Sequence, residues 1–270
     1  MINFFEKFTT FLLENYHTIT LFFFFSGLII FLILLVIPAY YGRYTQTTRK
    51  FLMFPNKIAW IVMEVISPIS LLIGISMIQN FSKFSFKFNY LEIIYLSHYI
   101  YRSLIFPLLI SPSKKSSKVA FEIMLMAIVF NSFNGILNGI ALQTKTVIYQ
   151  NFFLDLFKNP LSFLGLILIV SGFSVNFLAD RHLISLRSDG STRYKIPTWF
   201  VFEYVTSANY FGEIVEWFGF WVASRTLAAF VFFCWTCFNL IPRAITHHRW
   251  YHEHFEEYPK SRKIVIPFIF

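Results

Sequence analysis

Seven long apolar runs decide what this chain can become. They fall at about residues 19–40, 57–79, 89–110, 118–142, 160–183, 207–223 and 225–243. Each approaches or exceeds the roughly 20 residues that carry a helix across a bilayer. Only 14% of the chain is charged, whereas soluble domains hold nearer a quarter. The expectation is an all-α integral membrane protein with seven transmembrane helices, the last two separated by very few residues. The first run is too long and wrongly flanked for a cleaved leader. No fixed-period repeat and no long linker divides the chain, so residues 1–270 read as one membrane-embedded domain.

Positive charge orients such a chain. With seven crossings, the C-terminal tail shares its side with loops that hold most of the lysines and arginines, among them Arg43, Lys114, Arg187, Arg193 and Lys195. The C-terminus is therefore expected in the cytosol and the N-terminus in the lumen or periplasm. The net charge of +9 mostly expresses this asymmetry, so nucleic acid is not needed to explain it. The expected location is the endoplasmic reticulum membrane of a eukaryote or the inner membrane of a bacterium.

Polar side chains inside apolar helices are costly and mark function. The stretch "ANYFGEIVEW", from Ala208 to Trp217, carries Asn209, Glu213 and Glu216 at spacings of four and three, on one helical face. In the fifth run Asn176, Asp180 and Arg187 share a face. In the seventh and its extension Arg243, His247 and Tyr251 do the same. Interhelical hydrogen bonding accounts for one such group per helix pair, and less well for three long stripes of mixed charge. They suit the lining of a water-accessible cleft for a large, partly anionic ligand. A dinucleotide fits, with cations for phosphates and amides or carboxylates for the rest. Neither GxGxxG nor GxxxxGK[ST] occurs, so the site has to be built between helices.

Two further residues lie deeper. Glu64, in "AWIVMEV", is seven residues past Lys57, roughly 10 Å below the cytosolic edge at about 1.5 Å per residue. Tyr99, in "SHYIYR", is near mid-depth. A protonated carboxyl paired with a phenol can grip a carbonyl oxygen and draw electron density from it. The plainer readings are a salt bridge from Glu64 to Arg102, and an ordinary aromatic at Tyr99. Cys234 and Cys237, in "CWTC", read as packed small residues, since no soluble redox fold surrounds them. "HHRWYHEH" (247–254) offers too few histidine boxes for a membrane di-iron centre. It reads as an interfacial helix with one working histidine, His247, and no metal site is expected.

These residues resemble the steroid 5α-reductase family. The likeness is dense from Asn176 onward, in "DRHLISLRSDGSTRYKIP", "FEYVTSANYFGEIVEW" and the ending "FEEYPKSRKIVIPFIF". It continues upstream in "PAYYGRY", "AWIVMEV", "SHYIYRSLIFP" and "FNGILNG". The resemblance implies seven transmembrane helices and a cofactor-binding half at about 160–270. It implies that Glu64 and Tyr99 hold the 3-oxo group of a steroid that enters from the bilayer. It implies NADPH as cofactor, contacted by Asn176, Asp180, Arg187, Tyr194, Asn209, Glu213, Arg243, His247, Tyr251 and Arg262, with Arg43 and Lys114 beside them. Gly212 would let the cofactor approach its helix. The implied reaction puts hydride on C5 of a 3-oxo-Δ4 steroid while Tyr99 and Glu64 stabilise the enolate oxygen. Tyr101 and Asn138 depart from the family pattern, where histidine and glutamine are common, at positions expected near the substrate. A monomer among membrane lipids is expected. Rival readings are a lipid enoyl reductase, an isoprenylcysteine-type methyltransferase using S-adenosylmethionine, and a non-catalytic lipid-binding scaffold.

Overall fold

The computed structural model describes residues 2–37, 52–79, 87–110, 118–145, 159–186 and 194–270. In chain order these form α1 (Ile2–Glu14), α2 (Tyr16–Val36), the short strand β1 (Met53–Pro55), α3 (Asn56–Ile78) and α4 (Tyr90–Ile100). A π turn (Tyr101–Ile105), α5 (Phe106–Leu109), the strand β2 (Lys118–Ala120) and α6 (Phe121–Thr144) follow. The chain ends with α7 (Pro160–Ser185), a 3-10 turn (Phe200–Glu203), α8 (Ala208–Ser224), α9 (Leu227–His254) and an irregular tail.

Helices occupy all seven apolar runs. Five of them, α2, α3, α6, α7 and α9, are long and apolar enough to cross a membrane. Their outer faces expose side chains such as Phe22, Ile29, Leu32, Val129, Ile167 and Val170, which only lipid solvates without penalty. The protein is an integral membrane protein.

The other two runs are built differently. In the third, α4 gives way at Tyr101 to a π turn, where the Phe106 N–H reaches the Tyr101 carbonyl. Pro107 follows in the first turn of α5 and has no N–H to continue the ladder. In the sixth, α8 has 17 residues. It stops at Arg225, which adopts the left-handed conformation (φ 52°) and donates its N–H to the Trp221 carbonyl at 2.7 Å. The Thr226 hydroxyl then caps α9 by accepting from Ala229 N–H at 3.2 Å. Two residues thus reverse the chain.

Three elements escaped the periodicity. The helix α1 precedes the first apolar run and exposes Phe4, Phe8 and Phe11. The strands β1 and β2 pair antiparallel, Met53 opposite Ala120, a small addition to an otherwise helical fold.

Three helix pairs organise the bundle: α3 with α6, α7 with α8, and α2 with α9. Trp217 and Phe220 of α8, Phe232 of α9, Leu71 and Ile75 of α3, and Tyr95 and Tyr99 of α4 meet in the largest buried cluster. A second cluster, around Phe23, Leu137 and Trp235, joins α2, α6 and α9. There the Trp235 indole donates to the Phe23 carbonyl at 2.8 Å, which satisfies its polar end inside the core. Cys234 and Cys237 are unbonded and half-buried.

Candidate active site

The site begins with two helices that approach more closely than ordinary side chains allow. Gly165 and Gly172 of α7 face Gly219 and Gly212 of the oppositely running α8. A Cβ on Gly172 would strike the Glu216 backbone, and one on Gly212 the Asn176 backbone. Small residues of this kind bring helix backbones together in a membrane. The expectation that Gly212 makes room for a cofactor is therefore corrected: α7 fills that space.

Close approach brings the polar stripes of α7 and α8 face to face. Asn209 donates from Nδ2 to Asp180 Oδ1 at 3.0 Å. Asn176 donates from Nδ2 to the Asn209 carbonyl at 3.0 Å and to Glu213 Oε2 at 3.3 Å. Arg102, from the π turn, donates from Nη1 to Asp180 Oδ2 at 2.9 Å. Its guanidinium lies over the rings of Trp60 (5.0 Å) and Phe106 (4.6 Å). Arg102 and Asp180 are both buried. The arginine that sequence reasoning paired with Glu64 is thus bonded to Asp180, while Glu64, Asp180 and Glu213 all stand within its electrostatic reach. An arginine inside an apolar run was the signal for this hub.

Glu64 on α3 and Tyr99 on α4 join the same neighbourhood. Glu64 is half-buried and feels the charges of Arg102, Glu213 and His98. Tyr99 is buried, with its ring 4.6 Å from that of Tyr95 and 6.0 Å from that of Trp217. The second carboxylate of the "ANYFGEIVEW" face, Glu216, turns away from the stripe. Its Oε1 lies 2.7 Å from His98 Nδ1, in a pair almost wholly shut from solvent. Neither this pair nor the hydrogen-bonded Tyr95 was singled out from sequence. Lone aromatic and imidazole side chains in so aromatic a chain carry no periodic signal.

The third stripe lies on α9. The His247 ring is 5.7 Å from that of Tyr210, nearly parallel to it. Tyr251 is buried and stacks on Tyr258 at 5.1 Å. Its hydroxyl donates to the Lys195 carbonyl at 3.5 Å, and Tyr194 packs edge-on to Trp250 at 5.0 Å. Arg243 is half-buried on the same helix. The neighbouring His248 Nδ1 lies 2.5 Å from the Thr206 hydroxyl, so part of the histidine tract fixes structure. Arg43, Lys114 and Arg187 lie outside the described residues.

The tail closes this end. Thr206 N–H donates to the Lys263 carbonyl and Lys263 N–H to the Tyr204 carbonyl, both at 2.9 Å. The Tyr258 phenol, pushed up by burial, meets the Thr206 hydroxyl at 2.7 Å. Arg262 is 3% exposed, with its guanidinium 5.3 Å from the Tyr258 ring centre and 3.9 Å from Glu203. Its Nε, Nη1 and Nη2 make no hydrogen bond. Asn176 Oδ1 and Glu216 Oε2 are likewise buried without a partner. A buried guanidinium whose three nitrogens make no hydrogen bond, and whose carboxylate neighbour Glu203 is half exposed at 3.9 Å, can take up a further anion. These loose ends suit a ligand with anionic and amide groups.

Residues 117–270 match the family model for 3-oxo-5-alpha-steroid 4-dehydrogenase. The chain is 44% identical over 175 residues to 3-oxo-5-alpha-steroid 4-dehydrogenase 1 of Rattus norvegicus, covering 65% of each chain. It is 37% identical over 248 residues to the Bos taurus protein of that name, covering 90% of this chain and 92% of the relative. It is 33% identical over 258 residues to a steroid 5-alpha-reductase of Solanum lycopersicum, covering 91% and 97%.

Proposed function

Because the chain belongs to the 3-oxo-5-alpha-steroid 4-dehydrogenase family, we propose that it reduces the Δ4 double bond of 3-oxo-Δ4 steroids, with NADPH as reductant. The observation that carries the reading is one polar neighbourhood set deep among apolar helices. Glu64 and Tyr99 lie on its α3–α4 side, and the Asn176–Asp180–Asn209–Glu213 ladder on its α7–α8 side.

The chain's own groups fit the cofactor. The idle guanidinium of Arg262 suits a phosphate, and the unpartnered Oδ1 of Asn176 suits a carboxamide N–H. Glu213, Asn209, Asp180, Tyr194, Arg243, His247 and Tyr251 would complete the contacts, with Arg43, Lys114 and Arg187 supplying further positive charge. The cofactor-binding half is then about residues 160–270. When bound, NADPH supplies the hydride that goes to C5.

Tyr99 donates a hydrogen bond to the 3-oxo oxygen, and Glu64, when protonated, donates a second. Both bonds strengthen as enolate charge builds on that oxygen, the condition for lowering a barrier. Arg102 neutralises Asp180 and holds it against Asn209. A proton added at C4 completes a 5α-reduced 3-oxo steroid. In this reading the chain crosses seven times, as a monomer, with the cofactor side cytosolic. The apolar substrate enters from the bilayer, in the endoplasmic reticulum of a eukaryote.

Purified protein supplied with NADPH and a panel of 3-oxo-Δ4 steroids and long-chain enoyl lipids tests this. Steroid-dependent NADPH oxidation with a 5α-reduced ketone as product is expected. Turnover of enoyl lipids alone, or none of either class, would overturn it.

A further inference from the structure

Away from the polar ladder, five helix ends meet. Leu13 lies at the close of α1, Tyr16 and His17 begin α2, Thr144 and Lys145 end α6, and Arg225 and Thr226 join α8 to α9. Between them lies a cavity of about 430 Å³, inside the range of roughly 300–1,000 Å³ that small-molecule sites occupy. It sits at the opposite end of α9 from His247 and Tyr251. At about 1.5 Å per residue, Thr226 and His247 stand roughly 30 Å apart along that helix, so the cavity is no part of the site described above.

Its wall is divided in character. Leu13, Ile140, Ala141 and Leu227 make up the apolar part. The polar part is cationic. The Lys145 ammonium donates to the Arg225 carbonyl at 2.8 Å. Burial and the charge of Arg225 hold that ammonium below its ordinary range. The N-terminus of α9 adds its partial positive charge. Among the described residues no carboxylate lines the cavity or forms an ion pair with Lys145 or Arg225. Two like charges beside a helix N-terminus, without a counter-charge, are relieved by an anion. The backbone gives an independent pointer. Arg225 is left-handed (φ 52°), a conformation that glycine or asparagine adopts more readily. A reversal alone has no need of arginine there; an anion site has.

Depth decides the kind of anion. All five helix ends lie where membrane-crossing helices begin or stop, the level of lipid headgroups. Nearby, α1 exposes Phe4, Phe8 and Phe11, as a helix lying along a membrane surface does. A soluble anion makes no use of Ile140 and Leu227, whereas a phospholipid presents a phosphate and the start of an acyl chain together. A choline or ethanolamine head would find no carboxylate on these walls.

We propose that this cavity binds the headgroup phosphate and upper acyl chain of an anionic glycerophospholipid, with Lys145, Arg225 and the α9 N-terminus as its phosphate contacts. The bound lipid ties α2 and α6 to the α8–α9 reversal, at the end of the bundle away from His247 and Arg262.

The test uses full-length protein in a neutral detergent, titrated with phosphatidylglycerol or with phosphatidylcholine of the same acyl chains, with bound lipid counted by native mass spectrometry. Phosphatidylglycerol should bind about tenfold more tightly or better, the value of one charge-assisted hydrogen bond. The Lys145→Gln/Arg225→Asn protein loses both charges, and asparagine tolerates the left-handed backbone. Its preference should fall to within about twofold. A Lys118→Gln/Arg249→Gln protein loses the same charge from exposed positions elsewhere and should keep the parental preference. Equal binding of the two lipids by the parent overturns the proposal. So does a parental preference in Lys145→Gln/Arg225→Asn, or an equal loss in Lys118→Gln/Arg249→Gln, since the lipid would then answer net charge alone. Glycerol 3-phosphate at the same concentrations should leave no adduct; if it binds as tightly as the lipid, the site serves a soluble anion and the lipid assignment fails. If the Lys145→Gln/Arg225→Asn protein does not fold, Lys145→Gln alone decides. It keeps a donor for the Arg225 carbonyl and should lower the preference about threefold or more, and an unchanged preference overturns the proposal.

Discussion

Gly212→Ala should loosen the α7–α8 pair. An added Cβ would lie 2.7 Å from the Gly172 carbonyl oxygen and 2.9 Å from the Asn176 Cα, and closer still to the Asn176 backbone nitrogen. These are backbone atoms, so no side chain can swing aside; the helices have to separate by roughly 1 Å to restore ordinary contact. Overpacking of this kind costs about 1–3 kcal/mol, and the rigid neighbours place it near the top of that range. Alanine returns about 1 kcal/mol of helix propensity. The net is a destabilisation of about 2 kcal/mol, or a fall in Tm of about 4–8 °C on the scale of domains this size. Separation also stretches the Asn176–Glu213 and Asn209–Asp180 bonds, already 3.3 and 3.0 Å long, so activity should fall with stability. Thermal unfolding of the detergent-solubilised protein and NADPH titration read the two effects. An unchanged or raised Tm with weakened NADPH binding would refute this account, because the open side of Gly212 would then face a ligand and not a helix.

Asp180→Ala leaves Arg102 buried without its partner and should cost about 3–5 kcal/mol, seen as a lost monodisperse peak in detergent; Asp180→Asn, which keeps the bond to Arg102, should survive. An Asp180→Ala protein that melts with the parent would show that Glu64 or Glu213 already serves Arg102. Glu64→Gln keeps a donor and should retain part of the steroid turnover, whereas Glu64→Ala should lose most of it with NADPH affinity intact; parental rates in Glu64→Ala would take Glu64 out of the chemistry. Arg262→Gln should weaken NADPH binding roughly tenfold or more, the value of a charge-assisted bond, and leave steroid affinity alone. Equal weakening of both ligands, titrated separately, would make Arg262 a tail strut only.

The helices were legible because lipid demands long apolar runs, and the α7 and α8 stripes because polar groups there repeat at helical spacing. What the stripes do to each other was not legible. Asn176, Asp180, Asn209 and Glu213 look from sequence like free ligand contacts, yet they also bond across one interface, a fact that depends on the glycines opposite them. Arg102 showed only its cost, not its choice of Asp180 over Glu64, because the π turn that aims it is set by Pro107 five residues on. The buried contact of the Tyr95 and Ser67 hydroxyls, 2.6 Å apart, gave no signal at all. It is made by two helices whose mutual register no single stretch encodes.

The join between the tail and the entry to α8 bears on biogenesis. Residues 258–264 leave the ribosome after α9, the last described helix, has been made, yet Lys263 and Ile264 supply the backbone partners of Tyr204, Thr206 and Ser207. The start of α8, and with it Asn209, therefore waits for this late segment, however early the bundle inserts. During that interval the half-made site would be open to quality-control factors. A chain cut short between His254 and Lys263 would lose this fastening while keeping α1 to α9, and should insert yet lack activity.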